Sequence, residues 1–134
     1  GDYNRHFAPT RTRFDWLSRD PHEVDRYRDD ERCGFPLSSQ SWLDFLEGKV
    51  VLGSAAYLAR IPKALPIHVI AGTRDPVGEM SKGVTRLLEA YARAGLTRVS
   101  HRLYAEARHE LVNETNRDEV TRDLIAWIDS LLLT

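Results

Sequence analysis

The strongest constraint on this chain is a pair of short β-rich segments on either side of one amphipathic stretch. Residues 66–72, PIHVIAG, are apolar almost throughout, as a strand covered on both faces must be, and the polar loop TRDPVG follows at once. From Glu79 onward Met80, Val84, Leu87, Leu88 and Tyr91 recur at helical spacing, with Gly95 as a C-terminal stop. Residues 98–104, RVSHRLY, form a second strand. A strand, helix, strand step of this length makes a right-handed parallel crossover, so the fold class is α/β and the helix is expected to pack on the sheet. The polar loop EARHELVNE comes next. Asn116 and Glu119 then form a capping-box pattern ahead of Val120, Leu124, Trp127, Ile128 and Leu131 on one face of a last helix.

The first third reads differently. Charged residues are interleaved with Phe7, Phe14, Trp16, Tyr27, Phe35, Trp42 and Phe45, without a long periodic segment. Asp20, Pro21 and Glu23 give an N-cap, a favoured first helical position and a capping box, so a short helix begins there with Val24 and Tyr27 facing inward. Trp42, Leu43, Phe45 and Leu46, then Val50, Val51 and Leu58, predict a second helical stretch broken or bent at Gly48 or Gly53. The aromatics of this region suit either the wall of an apolar pocket or a small core.

At 134 residues the chain fits one folding unit with a real core. Nineteen Lys and Arg against twenty Asp and Glu leave a net charge of -1, which offers no attraction to nucleic acid. The single cysteine, Cys33, cannot form an internal disulfide or a thiolate zinc site, and a cytoplasmic location is the default expectation. No run is long and apolar enough to span a bilayer, and no signal-like segment opens the sequence. Met80 is the only methionine, so the native start is expected upstream of Gly1. His6, His22, His68 and His101 show no ligand spacing, and no metal site is expected. His68 and His101, within strands, are expected to be packed or hydrogen-bonded.

Chemistry is expected where the two strands end. In open parallel sheets the loops leaving the carboxyl ends of strands share one edge, and Asp75 and His109 each occupy such a loop. A carboxylate there can accept the Nδ1 proton of an imidazole and leave Nε2 to take a proton, which is the acid and base half of a triad. Either residue alone reads as readily as a turn or cap residue. Position leaves the catalytic and structural readings both open.

Three segments carry a resemblance. IHVIAGTRDPVG resembles the segment of α/β-hydrolases in which the catalytic acid follows a core strand. LYAEARHELVNE resembles their catalytic-histidine loop, including the small residue two before the histidine. RTRFDWLSRDPHEVDRYRDDERCGF, followed by SWLDFLEG, is similar to the cap region of bacterial hydrolases in the serine aminopeptidase, lysophospholipase and monoglyceride-lipase group. The resemblance implies that Asp75 is the triad acid and His109 the general base. It also implies a cap segment with its connecting helix over 1–60, and over 61–134 the C-terminal α/β part of a hydrolase sheet. The implied substrate is a small ester with an apolar acyl chain, and no cofactor is implied.

One element of the family is missing. Its nucleophile is a serine in a G-x-S-x-G elbow that precedes the acid and the histidine. No serine here has both glycines: Ser81 has Gly83 but Glu79 before it, and Ser54 has neither. The nucleophile is therefore expected before Gly1, in an N-terminal half of the core, and the chain alone is expected to be inactive and prone to self-association through an uncovered strand edge. Two other readings stay open. One is a related hydrolase with an aspartate nucleophile, of dehalogenase or epoxide hydrolase type; the other is a non-catalytic interaction module.

Overall fold

A computed structural model describes residues 3–132. After a 3-10 turn at Tyr3–His6 come α1 (Pro21–Asp29), α2 (Ser39–Leu52) and α3 (Ala55–Leu58). The second half runs β1 (Ile67–Gly72), α4 (Lys82–Arg93), β2 (Val99–Tyr104), a 3-10 turn at Leu111–Asn113 and α5 (Arg117–Leu132). The expected α/β class holds. β1 and β2 pair in parallel from Ile67 opposite Val99 to Gly72 opposite Tyr104, so both strands end at the same edge.

Local chemistry explains most element ends. Asp20 caps α1 by accepting from the His22 backbone N–H, with Pro21 at the first helical position. The reciprocal half of the expected capping box is absent: the Asp20 N–H goes to Ser18 Oγ, and Glu23 turns to Arg26 and Arg117. A guanidinium outcompetes the neutral N–H for the glutamate. In α2, Gly48 is accommodated without a break and the helix stops at Gly53; Ser54 then caps α3. α4 ends in a paired motif in which Gly95 N–H reaches Ala92 O and Leu96 N–H reaches Tyr91 O, with Gly95 at φ +78°.

The start of α4 departs from expectation. Glu79, Met80 and Ser81 all take positive φ, so the helix begins at Lys82 and the apolar period that starts at Met80 overstates its length. No α4 residue is buried; Val84, Leu88 and Tyr91 are half-covered.

The core sits where β2 meets the following loop and α5. Tyr104, Ala107, Leu111 and Val120 form it, with Ile70 of β1 against them. Tyr104 donates its hydroxyl to Asp123 Oδ2 at 3.0 Å, fastening α5 to β2. Burial and that carboxylate push the Tyr104 phenol up to about 12. Elsewhere apolar surface is open. β1 is half-covered along Ile67–Ala71, and Trp42, Leu43, Phe45, Leu46 and Val50 of α2 are exposed. His68 stacks on Trp127 and shares a hydrogen bond with Ser100, as a packed histidine should, whereas His101 in the middle of β2 is exposed.

Candidate active site

The two loops expected to meet do meet. β1 ends at Gly72, and the Thr73 and Arg74 N–H groups continue the ladder to Tyr104 O and Ala107 O at 3.0 and 2.9 Å. A β-carbon at Gly72 would overlap the carbonyl oxygens of Ala107 and Arg108, so only glycine lets the loops close. Ala107, the small residue two before the histidine, is fully buried.

Asp75 lies in the turn that follows, at 9% exposure. Its Oδ1 accepts the Val77 N–H at 2.8 Å and lies 3.1 Å from His109 Nδ1. The carboxylate is thus both a turn residue and the partner of the imidazole. With Nδ1 committed as the donor, Nε2 is the basic nitrogen, and among the described residues no hydrogen bond reaches it. The imidazole side chain keeps 36% exposure, so Nε2 can be approached from outside.

Electrostatics agree with this division. The hydrogen bond to Asp75 raises the His109 imidazole above its ordinary value, against burial, and the charges of Asp75 and Glu110 add to the rise. Burial alone would raise Asp75. The bond and charge of His109 and the Val77 and Gly78 N–H groups outweigh it, and hold the carboxyl below its ordinary value.

The first third of the chain builds the other wall. The Trp16 indole lies against the His109 ring, centroids 5.2 Å apart, and Tyr3 packs on Trp16 at 5.0 Å. Asn4 sets this turn by accepting the Trp16 N–H and donating to Thr12 O. Phe14 and Tyr27 instead pack on each other, and Phe35, Trp42 and Phe45 are exposed. The early aromatics thus divide between the site, a local cluster and open surface.

The neighbouring charged residues and the two serines behave more plainly. Arg74 is part-exposed, lies over Phe7 and donates to His6 O. Glu110 accepts from Asn113. Ser54 caps α3, and Ser81 occupies the last left-handed position before α4. Among the described residues no cluster of His, Cys, Asp and Glu could hold a metal ion. No helix there is long and apolar enough to cross a membrane.

A sequence model of the family described as serine aminopeptidase, S33, matches residues 3–116, which contain both loops. The chain belongs to this family of α/β-hydrolases. Among solved structures, this S33 chain is similar to a highly thermostable carboxyl esterase from Bacillus coagulans determined in complex with glycerol. The identity is 28% and the TM-score 0.84, over 95% of this chain and 42% of that one. A lipase in its open form is 26% identical with a TM-score of 0.81, over 96% of this chain and 42% of its own length. A monoacylglycerol lipase from Paleococcus ferrophilus shares the fold at 24% identity and a TM-score of 0.65, over 87% of this chain and 42% of that one. This S33 chain therefore spans less than half the length of each of these relatives.

The burial of Glu114 and the close backbone approach at Gly72 were not among the sequence expectations. Nothing distinguishes Glu114 from other acidic residues of a polar loop, and yet it is fully buried. Gly72 carried a signal: a glycine ending an apolar strand marks a place where another backbone comes close.

Proposed function

We propose that Asp75 and His109 are the acid and the general base of a serine hydrolase that cleaves carboxylic esters through an acyl-enzyme. The observation that carries this reading is the 3.1 Å contact between Asp75 Oδ1 and His109 Nδ1 at the ends of adjacent parallel strands, with Nε2 left open. Family membership and the similarity to esterases and lipases support it.

In this reading residues 1–60 are the cap segment with its connecting helix, and 61–134 are the C-terminal part of the core. The nucleophilic serine and the oxyanion donors belong to an N-terminal half that packs against β1 and α4, whose half-covered apolar faces suit such a partner. His109 Nε2 takes the serine proton as the oxygen attacks the ester carbonyl, then returns it to the leaving alcohol. A water deprotonated by the same nitrogen releases the acid. Asp75 keeps Nδ1 protonated and stabilises the imidazolium formed in each half. The 134-residue chain by itself is inactive, because loss of the nucleophile alone costs on the order of a million-fold.

The proposed substrates are monoacylglycerols or lysophospholipids. An apolar acyl chain suits the exposed apolar surface of α2, and the glycerol complex of the Bacillus coagulans esterase supports a glycerol-type leaving group. Stopped-flow hydrolysis of a p-nitrophenyl ester by the full-length gene product, with glycerides and lysophospholipids as competitors, tests the proposal. A p-nitrophenolate burst matching the enzyme concentration, with competition by these lipids, is expected. Absence of ester hydrolysis contradicts the reading.

A further inference from the structure

We propose that Glu114 is a positioning residue for the general base, clamping the His109 loop to the segment that carries Trp16. The proposal rests on the acid–base reading of Asp75 and His109. Glu114 is fully buried, and a buried carboxylate persists only where donors replace its water. Four do so here. Oε1 accepts the Arg108 N–H at 2.7 Å and the Arg19 N–H at 3.2 Å, while Oε2 accepts Arg19 Nε at 2.8 Å and the Thr115 N–H at 2.9 Å.

These donors come from two remote stretches. Arg108 is the residue directly before His109, and Arg19 follows the turn that presents Trp16 to the imidazole. Further bonds cross the same seam: Glu110 N–H to Leu17 O at 2.8 Å, Ser18 Oγ to Asn113 O at 2.7 Å, and the Arg108 guanidinium to Asp15 O and Ser18 O. Residues on both sides of His109 are thus bonded to residues on both sides of Leu17. Among the described residues, Glu114 is the one carboxylate that joins the two sides of the seam at the backbone of Arg108. It touches no reacting atom, so its effect on the base is geometric.

A glutamine at this position keeps the shape but turns one acceptor into a donor that faces other donors. The His109 loop then relaxes while the Asp75 loop, held by Gly72 and Val77, stays in place. A displacement on the order of an ångström costs up to about a hundred-fold in rate. Glu114→Gln in the full-length gene product is therefore expected to lower kcat between about ten- and a hundred-fold with little change in KM. The acidic limb of its rate profile is expected to move down toward the ordinary imidazole value, as the bond to Asp75 loosens.

The experiment measures kcat, KM and pH profile for Glu114→Gln, for the milder Arg19→Gln and for His109→Ala, well below each variant's melting temperature. Arg19→Gln gives a smaller loss in the same direction and decides the question if Glu114→Gln does not fold. A folded Glu114 or Arg19 variant with wild-type kcat and pH profile, lower only in Tm, overturns the positioning role while His109→Ala remains inactive. Activity retained in His109→Ala overturns the acid–base reading instead.

Discussion

Gly72 and Ala107 lie backbone against backbone, with no room for a side chain between the end of β1 and the approach to the histidine loop. This contact brings Asp75 and His109 within hydrogen-bonding distance, because each loop leaves its strand at the same edge only a few residues earlier.

Gly72→Ala should therefore act on stability and on the site together. An added methyl must push apart two carbonyl groups rather than a flexible side chain, and overpacking of this kind costs roughly 1–3 kcal/mol. Urea titration should show the loss in the midpoint. Full stability in Gly72→Ala would contradict the close contact.

The pH dependence of activity follows from the direction of two shifts. In the proposed mechanism catalysis needs neutral His109, whose pKa Asp75 raises, so kcat/KM is expected to rise with pH through a value above the ordinary imidazole value of about 6.5. Stability runs the other way for this group. The raised His109 favours the fold below the ordinary imidazole value, and that contribution is lost as pH climbs through the folded value. The depressed Asp75 favours the fold above the ordinary carboxylate value, and that contribution is lost as pH falls through the folded one. The pair thus stabilises most in the mildly acidic window between the two. In Asp75→Asn the acidic limb should shift downward; a limb unmoved in that variant would remove Asp75 as the source of the raised pKa.

The bond from Tyr104 to Asp123 predicts a smaller effect. Tyr104→Phe keeps the ring in the core but removes the hydroxyl from Asp123, which keeps its ion pair with Arg102, a loss of about 0.5–1.5 kcal/mol by thermal unfolding. Ultraviolet titration of the tyrosines should lose a component near 12 in this variant. A wild-type titration curve would place that component elsewhere.

Uncovered apolar surface predicts self-association of the 134-residue chain when it is made alone. α2 exposes Trp42, Leu43, Phe45, Leu46 and Val50 together, and among the described residues β1 has a strand neighbour on one side only. Parallel edges of this kind invite pairing. Sedimentation velocity should show oligomers that dissociate in mild denaturant, and a monodisperse, cooperatively folding monomer would contradict the prediction.

How much of this was legible in the sequence differs from residue to residue. β1, β2 and α5 were visible because an apolar run and a 3.6-residue period are local signals, and Gly95 announced the end of α4 through the positive φ it adopts. The start of α4 was not visible, since no residue type marks Glu79, Met80 and Ser81 as left-handed. The Asp75 and His109 loops could be placed at one edge from strand order alone. Glu114 could not, because its burial depends on Arg19, 95 residues away, and no local pattern encodes such a partner. Glu23 shows the same limit, its capping pattern overridden by Arg117 from α5.

The most direct test compares p-nitrophenyl ester hydrolysis by the wild-type full-length gene product with that of His109→Ala and Asp75→Asn, each shown to be folded by circular dichroism. A loss of about a thousand-fold or more in both variants is the expected result; wild-type rates in either would contradict the assignment of His109 as general base or of Asp75 as its acid.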